Sequence, residues 1–102
     1  MATLLVFEFP SPGPYADEAA AAYKDLAENI ADEPGLRWKV WTEDPCRSVA
    51  GGVYLFETKA DAERYTAFHT ERLAGFGITG VDARSFDVNE ALSLITRGTP
   101  SD

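Results

Sequence analysis

Two neighbouring stretches of the chain, 36–43 and 49–56, are rich in aromatic and β-branched residues. The polar break between them, 44–48, has the composition of a turn, which predicts a β-hairpin with Glu43 opposite Val49. In this register the two faces of the hairpin carry Leu36, Trp38, Val40, Tyr54 and Phe56 on one side and Arg37, Lys39, Trp41, Val53 and Leu55 on the other. Large apolar side chains stand on both faces, so we expect both faces to be covered.

The glycine pair Gly51 and Gly52 interrupts the second strand of this hairpin. Glycine weakens a strand interior unless something large approaches the backbone there. The predicted register places Trp41 opposite Gly51, where its indole ring or a ligand could occupy the space. A β-bulge that ends the hairpin ladder is the alternative explanation, and the sequence does not separate the two.

Apolar residues at helical spacing predict two longer helices and a short one near the C-terminus. The first spans about 15–32, and the second spans 58–73, with a threonine N-cap and Asp61 three residues on. The short helix follows Asp87 or Asn89, either of which is a good cap. The remaining strands are expected at 3–9 and 78–88.

The resulting order, β-α-β-β-α-β, is typical of a ferredoxin-like α+β fold with a four-stranded antiparallel sheet. Both longer helices then lie on one face of the sheet. Because the strands are apolar on both sides, we expect the bare face to pair with a second copy, giving a dimeric α+β barrel. Residues 1–97 form one domain in this interpretation, and 98–102 form a loose tail.

Net charge limits the choice of partners. A charge of −8 with a pI near 4.5 argues against nucleic acid and against an anionic membrane surface. The single cysteine, Cys46, excludes an internal disulfide and suits a reducing cytoplasm. We expect no signal peptide and no membrane-spanning segment, because no apolar run is long enough.

His69, the only histidine, falls on the buried face of the second predicted helix, with Arg72 near the edge of that face. A lone buried histidine is more often a packed core residue than a catalyst. With a nearby tyrosine, an arginine and several aromatic rings, it would also suit a flat, electron-rich ligand. Glu8 either reaches water at the end of the first strand or acts as a pocket carboxylate.

Several familiar motifs are absent from the sequence. One histidine without clustered carboxylates predicts no metal site. Phosphate-binding glycine loops and a nucleophile elbow are missing as well. RNA-recognition domains share this strand order, and Gly51–Phe56 loosely resembles their aromatic motif, but the negative charge and the lack of a basic patch disfavour that function.

Seven short blocks, spread from residue 1 to about residue 95, form a recognisable set. They are Met1-Ala2-Thr3-Leu4-Leu5, Glu33-Pro34-Gly35, Trp38-Lys39-Val40-Trp41-Thr42-Glu43, Ala50-Gly51-Gly52-Val53-Tyr54-Leu55-Phe56, His69-Thr70, Arg72-Leu73 and Phe86-Asp87-Val88-Asn89-Glu90. Together they resemble the bacterial YdhR mono-oxygenase family. The chain departs from that pattern mainly at 6–11 and along the first helix, so the rim of the pocket is expected to differ.

The resemblance implies subunits similar to the antibiotic-biosynthesis mono-oxygenases, paired into dimers. It also implies oxygenation of a small aromatic or polycyclic compound without flavin, haem or metal. Such an enzyme needs a base, donors for a developing oxyanion and a dry cavity. The candidates are His69 with Glu8 as proton acceptor, Tyr54, Tyr65 and Arg72 as donors, and Trp38, Trp41, Phe68 and Phe86 as aromatic walls. A non-catalytic carrier of aromatic ligands, a haem protein ligated by His69 and a dimer with a filled core are the alternatives.

Overall fold

Four strands and four helices make up the part of the chain that the structure, a computed structural model, describes, residues 2–98. In chain order they are β1 (Thr3–Pro10), α1 (Ala16–Ala22), α2 (Lys24–Ala31), β2 (Leu36–Asp44), β3 (Val49–Phe56), α3 (Lys59–Gly75), β4 (Asp82–Asp87) and α4 (Glu90–Ile95). β4 is shorter than the predicted strand at 78–88. Most of the predicted tail, 99–102, lies outside the described residues.

The sheet confirms the ferredoxin-like α+β fold. Its strand order is β2-β3-β1-β4, and every neighbouring pair is antiparallel. The core forms between one sheet face and the helices, and it consists of Leu5, Phe7, Ile30, Tyr54, Phe56, Ala62, Tyr65 and Leu73. Both α2 and α3 contribute to this cluster, so the helices cover the same face of the sheet, as predicted.

The hairpin register predicted from the sequence is wrong by one residue over most of its length. Asp44, not Glu43, pairs with Val49, and Lys39 pairs with Tyr54. The pairing of Leu36 with Phe56 is nevertheless correct, because the register shifts between Leu36 and Trp38. This irregularity places one extra residue in β2, and it lies away from the glycine pair where a bulge was considered.

The register shift exchanges the two faces of β2. Side chains alternate along a strand, and directly paired residues point to the same face. Lys39 and Trp41 therefore share the helix-covered face with Tyr54. Trp38 and Val40 turn to the other face, which is the reverse of the prediction.

The first predicted helix is two helices, α1 and α2, separated at Tyr23. Tyr23 has φ −107° and ψ 13°, outside the helical range, and its ring stacks on Trp41 with centroids 6.4 Å apart. No side chain of α1 is buried. The α1 N-terminus is tied to the sheet by Glu43, whose carboxylate accepts the backbone N–H of Ala16 at 2.9 and 3.2 Å.

Helix caps at the two later helices match the sequence signals. The Thr58 hydroxyl accepts the backbone N–H of Asp61 at 3.1 Å and begins α3. The hydrogen bond from Thr58 also lowers the pKa of the Asp61 carboxyl. Asn89, the second of the two caps considered, accepts the backbone N–H of Leu92 at 3.1 Å and begins α4.

The sheet face away from the helices, which we call the open face, carries a cluster of apolar side chains beside the charged Glu8, Asp82 and Arg84. By register the cluster consists of Leu4, Val6, Trp38, Val40, Val53, Leu55 and Phe86, of which Leu55 is buried. Val40 is 55% exposed and Phe86 is 51% exposed. Apolar surface of this extent on a small domain usually indicates an interaction site.

We expect Gly51→Ala to lower the free energy of unfolding by about 2 kcal/mol or more, because a side chain there has no space. A Cβ at Gly51 would lie 1.9 Å from the carbonyl oxygen of Phe7, and that backbone belongs to the adjacent strand. Gly75→Ala is the matched control, since nothing lies within 4 Å of its Cβ position. Alanine in that helix is expected to be neutral or stabilising by up to about 1 kcal/mol. Urea unfolding of both variants measures the difference; equal midpoints would contradict the close packing of β3 against β1.

Candidate active-site cavity

A cavity of about 470 Å³ lies between the helices and the covered face of the sheet. Its lining includes Phe9, Ala16, Ala19, Ala20, Tyr23, Leu26, Ala27, Lys39, Trp41, Glu43, Ala50, Gly51, Tyr54, His69, Leu73, Phe76 and Ile78. Small alanine side chains of α1 and α2 line one wall of the cavity, and aromatic side chains line the opposite wall. A mostly apolar cavity with a few converging polar groups is typical of a small-molecule site.

Lys39 brings an amine into this cavity. Its Nζ lies 3.4 Å from the centroid of the Trp41 ring and 4.6 Å from that of Tyr54. Burial, followed by the positive charge of Arg72, lowers the pKa of Lys39 to about 7. The indole face acts in the opposite direction, because an aromatic ring attracts an ammonium group.

Gly52 makes room for this lysine. A Cβ at Gly52 would lie 2.7 Å from Cε of Lys39, so the lysine chain crosses the strand where a side chain is missing. The sequence left two explanations for the glycine pair, a large group over the strand or a β-bulge. The structure places the Lys39 chain over Gly52, and Trp41 pairs with Gly52 instead of Gly51.

His69 lies on α3, buried against the rings of Phe7 and Tyr65. Its Nδ1 accepts a hydrogen bond from Nε of Arg72 at 3.1 Å, and NH2 of the same guanidinium lies 2.9 Å away. Asn29 Oδ1 in turn accepts from Arg72 NH1 at 2.8 Å. Since Nδ1 is an acceptor, the neutral ring carries its proton on Nε2.

The charge state of His69 follows from the same surroundings. Burial, then the charges of Arg72 and Lys39, lower its pKa to about 3. The imidazole is therefore neutral at ordinary pH, and its N–H, the group that can donate, is at Nε2. The predicted role of proton acceptor suits this histidine poorly, because the nitrogen that could accept is already occupied by Arg72.

Tyr54 and Tyr65 form a buried hydroxyl pair. The Tyr65 hydroxyl donates to that of Tyr54 at 3.2 Å. Burial raises the pKa of Tyr65 to about 12 and raises that of Tyr54 well above its usual value. Both phenols stay protonated, and Tyr54, which lines the cavity, keeps its own proton for a ligand.

The structure brings together only some of the site residues that the sequence suggested. His69, Tyr54 and Trp41 line the cavity, and Tyr65 and Arg72 contact His69 from behind. The other candidates lie elsewhere, and they are Glu8, Trp38, Phe68 and Phe86.

None of these four residues lines the main cavity. Glu8 accepts a hydrogen bond from Arg47 at 3.2 Å on the face opposite the cavity, which fits the interpretation of this carboxylate as solvated. Trp38, whose side chain belongs to the open face, also borders a second cavity of about 220 Å³ beside α2 and β2. Phe68 is 49% exposed beneath the Arg72 guanidinium, and Phe86 belongs to the open face.

The sequence-based selection missed Lys39, and with it Tyr23 and Glu43. The signal for Lys39 was present, because strand alternation places it on the same face as Trp41 whichever register holds. The sequence could not show that the face shared by Lys39 and Trp41 is the face that the helices cover.

Within residues 2–98, no cluster of three or more His, Cys, Asp or Glu side chains could hold a metal ion. Haem ligation through His69 would have to use Nε2, since Arg72 engages Nδ1. None of the helices in this same range has the length and apolarity needed to cross a membrane.

We expect the imidazole signals of His69 to stay unchanged from pH 8 down to about 4 and to titrate near pH 3. Arg72→Met removes a neighbouring cation and is expected to raise the pKa of His69 towards its usual value, though burial keeps it below that value. NMR of the single histidine measures both. Arg64→Met is the matched control, because Arg64 pairs with Asp61 instead and should leave the titration unaltered.

The same pKa difference makes stability depend on pH. In the unfolded chain His69 binds a proton below its ordinary pKa of 6.5, whereas the folded ring stays neutral until about pH 3. Its contribution to stability is therefore complete above pH 6.5 and is lost as the pH falls towards 3. His69→Phe should show a smaller loss of stability than the wild type in urea unfolding between pH 7 and pH 4.5. Identical losses would contradict the lowered pKa.

Solved structures similar to this chain share its fold at low sequence identity. Protein YJCS is 16% identical with a TM-score of 0.62, and the match covers 87% of this chain and 100% of that chain. SnoaB, a cofactor-independent oxygenase from Streptomyces nogalater, is 13% identical with a TM-score of 0.60, covering 86% of this chain and 93% of that one.

The ActVA-Orf6 monooxygenase from Streptomyces coelicolor, solved with the ligand nanaomycin D, is 16% identical with a TM-score of 0.60. That match covers 86% of this chain and 88% of the other. Identities this low establish the fold, and they leave the activity to be argued from the site.

Sequence comparison identifies the family. No curated protein sequence matches this chain significantly. The family profile described as "Putative mono-oxygenase ydhR" matches residues 4–99, nearly the whole chain. The family that the sequence blocks resembled is thereby confirmed: the chain belongs to the ydhR mono-oxygenase family.

Proposed function

We propose that the protein is a cofactor-independent mono-oxygenase acting on a small aromatic or polycyclic phenol bound in the 470 Å³ cavity. The observation that carries this proposal is the Lys39 amine, held against Trp41 and Tyr54 with a pKa near 7. Membership of the family and the fold shared with SnoaB support it.

The chemistry sets the requirements of the site. Ground-state oxygen reacts slowly with closed-shell molecules, so the substrate must first become an electron-rich anion. A general base is most effective when its pKa lies near the working pH. Lys39 meets this condition: at pH 7 a large share of its amine is neutral and can take the phenolic proton.

The ammonium formed in that step remains beside the new anion and stabilises it. Tyr54 and the Nε2–H of His69 would be donors to the developing oxyanion, in a cavity that partly excludes water. Arg72 is a positioning residue in this scheme, because it holds Nδ1 of His69 and so directs the ring proton towards Nε2.

The substrate itself supplies the electrons. For an anthrone, the methylene group loses two hydrogens, which leave as water with one oxygen atom of O₂. The other oxygen atom becomes the new carbonyl of the quinone. Trp41 and Tyr23, stacked with an interplanar angle of 10°, would contact the flat face of such a ring system.

We expect Lys39→Met to reduce oxygen uptake about 100-fold or more, since a positioned general base commonly contributes 10²–10⁴-fold. The assay follows oxygen at an electrode with hydroxylated naphthalenes and anthrones, in the presence of a chelator. Lys59→Met is the matched control, because Lys59 is exposed at the start of α3 and should leave the rate unaltered.

Two results would contradict the proposal. Full activity in Lys39→Met would remove this lysine from the mechanism. Quenching of tryptophan fluorescence by the same compounds without any oxygen uptake would favour the second candidate, a non-catalytic carrier of aromatic ligands, which the cavity would also accommodate.

We also propose that a second copy of the chain covers the open face, forming the dimeric barrel. The exposed Val40 and Phe86 support this, as does the apolar surface of α4, where Leu92 and Ile95 are 63% and 78% exposed. A dimer joined through the sheets removes such surface from water.

Val40→Glu should convert the dimer into a monomer, because it places a charge in the apolar contact. Light scattering after size-exclusion chromatography should give twice the 11.1 kDa chain mass for the wild type and the single mass for the variant. Ala67→Glu, exposed on α3, is the control and should stay dimeric. A monomeric wild type would exclude the proposed assembly.

The proposed location is the cytoplasm. Cys46 is exposed and not paired with another cysteine. An exposed thiol persists most readily in a reducing compartment.

A further inference from the structure

The three lysines of the chain occupy different environments. Lys24 and Lys59 are exposed, and Lys39 is only partly accessible; Lys39 and the exposed Lys24 both border the cavity. Among residues 2–98, none of the ion pairs involves Lys39. The amine therefore faces the cavity without a carboxylate to hold its proton.

Burial and the charged neighbour of Lys39 disfavour the ammonium form, and they act against the attraction of the Trp41 ring. The charged neighbour Arg72 has the same sign, and His69 is neutral. Glu43 also lines the cavity, but its carboxylate is engaged by the backbone N–H of Ala16 at the start of α1. A desolvated lysine next to another cation is the arrangement that makes an amine nucleophilic near neutral pH.

We propose that Lys39 is a covalent capture site for aromatic aldehydes and ketones, which it binds as an imine. The Nζ lone pair attacks the carbonyl carbon, a C–N bond forms, and the carbonyl oxygen takes up a proton to give a carbinolamine. Loss of that hydroxyl as water, with the second hydrogen leaving the nitrogen, gives the C=N bond. No oxidant or reductant is consumed.

The cavity fits a carbonyl attached to a ring. Trp41 lies directly below Nζ, so a ring bonded to the imine carbon would lie among Trp41, Tyr23 and the alanines of α1 and α2. The Tyr54 hydroxyl can donate to the carbinolamine oxygen, because burial keeps its proton in place. Gly52 allows this position of the Lys39 side chain, because a Cβ there would collide with it.

The expected reactivity follows from the fraction of neutral amine. At pH 7 about half of Lys39 is unprotonated, whereas an ordinary lysine with a pKa near 10.4 is unprotonated in less than about one molecule in a thousand. Part of this advantage is lost because a less basic amine is a weaker nucleophile. We therefore expect Lys39 to be labelled at least about ten times faster than an exposed lysine.

The test uses the intact protein and 2-hydroxy-1-naphthaldehyde, a planar aromatic aldehyde, under anaerobic conditions at pH 7. Cyanoborohydride reduces any imine to a stable amine, and peptide mass spectrometry compares the labelling rates at Lys24, Lys39 and Lys59. The expected result is fast labelling at Lys39, with a pH–rate midpoint near 7. Exclusion of oxygen separates this reactivity from the proposed oxygenase, so either can fail alone.

Comparing the labelling rates of the three lysines in the wild-type protein tests the proposal without any variant. Equal labelling of the three lysines, or a rate at Lys39 that still rises above pH 9, would overturn it. Lys39→Arg, which keeps the positive charge but cannot form an imine, should lose the fast phase. Lys59→Arg should retain it.

Discussion

One extra residue in β2 decides which side chains of that strand point into the cavity. The register shift between Leu36 and Trp38 turns Lys39 and Trp41 towards the helices, where Tyr54 also points. Without it, the same strand would place Trp38 and Val40 over the core and would expose the lysine on the open face. The Lys39 amine lies on the same side of the sheet as His69 and the two tyrosines only because the bulge reverses the side-chain alternation at this point.

The cavity concentrates positive charge inside an acidic protein. The chain carries a net charge of −8, yet the charges that act on His69 are the positive charges of Arg72 and Lys39. Each protonated group makes the next one harder to protonate, and burial adds to the effect. The arginine, which never loses its proton, remains charged, so the histidine is neutral and the lysine is partly neutral near pH 7. This division of charge is the basis of the proposed roles of donor, base and fixed cation.

Helix α1 explains why the cavity is open at all. Its alanines are too small to fill the space above the sheet, and none of its side chains is buried. The helix is held at its start by Glu43 and at its end by the stacking of Tyr23 on Trp41. The fold shared with remote relatives does not fix the shape of the cavity rim, which depends on these residues.

The sequence by itself determined the order of strands and helices except for the break at Tyr23, the helix cap at Thr58, and the apolar character of both sheet faces, because these depend on local spacing and composition. It left Asp87 and Asn89 as alternative caps of the last helix. It also identified His69, Tyr54 and Trp41, which are unusual residues on core-facing positions. Only the tertiary structure decided which face of β2 meets the helices, since a single bulge reverses every side chain beyond it and leaves no clear trace in the pattern. We propose Lys39 instead of His69 as the proton acceptor for a related reason: a pKa depends on which charges lie nearby in space.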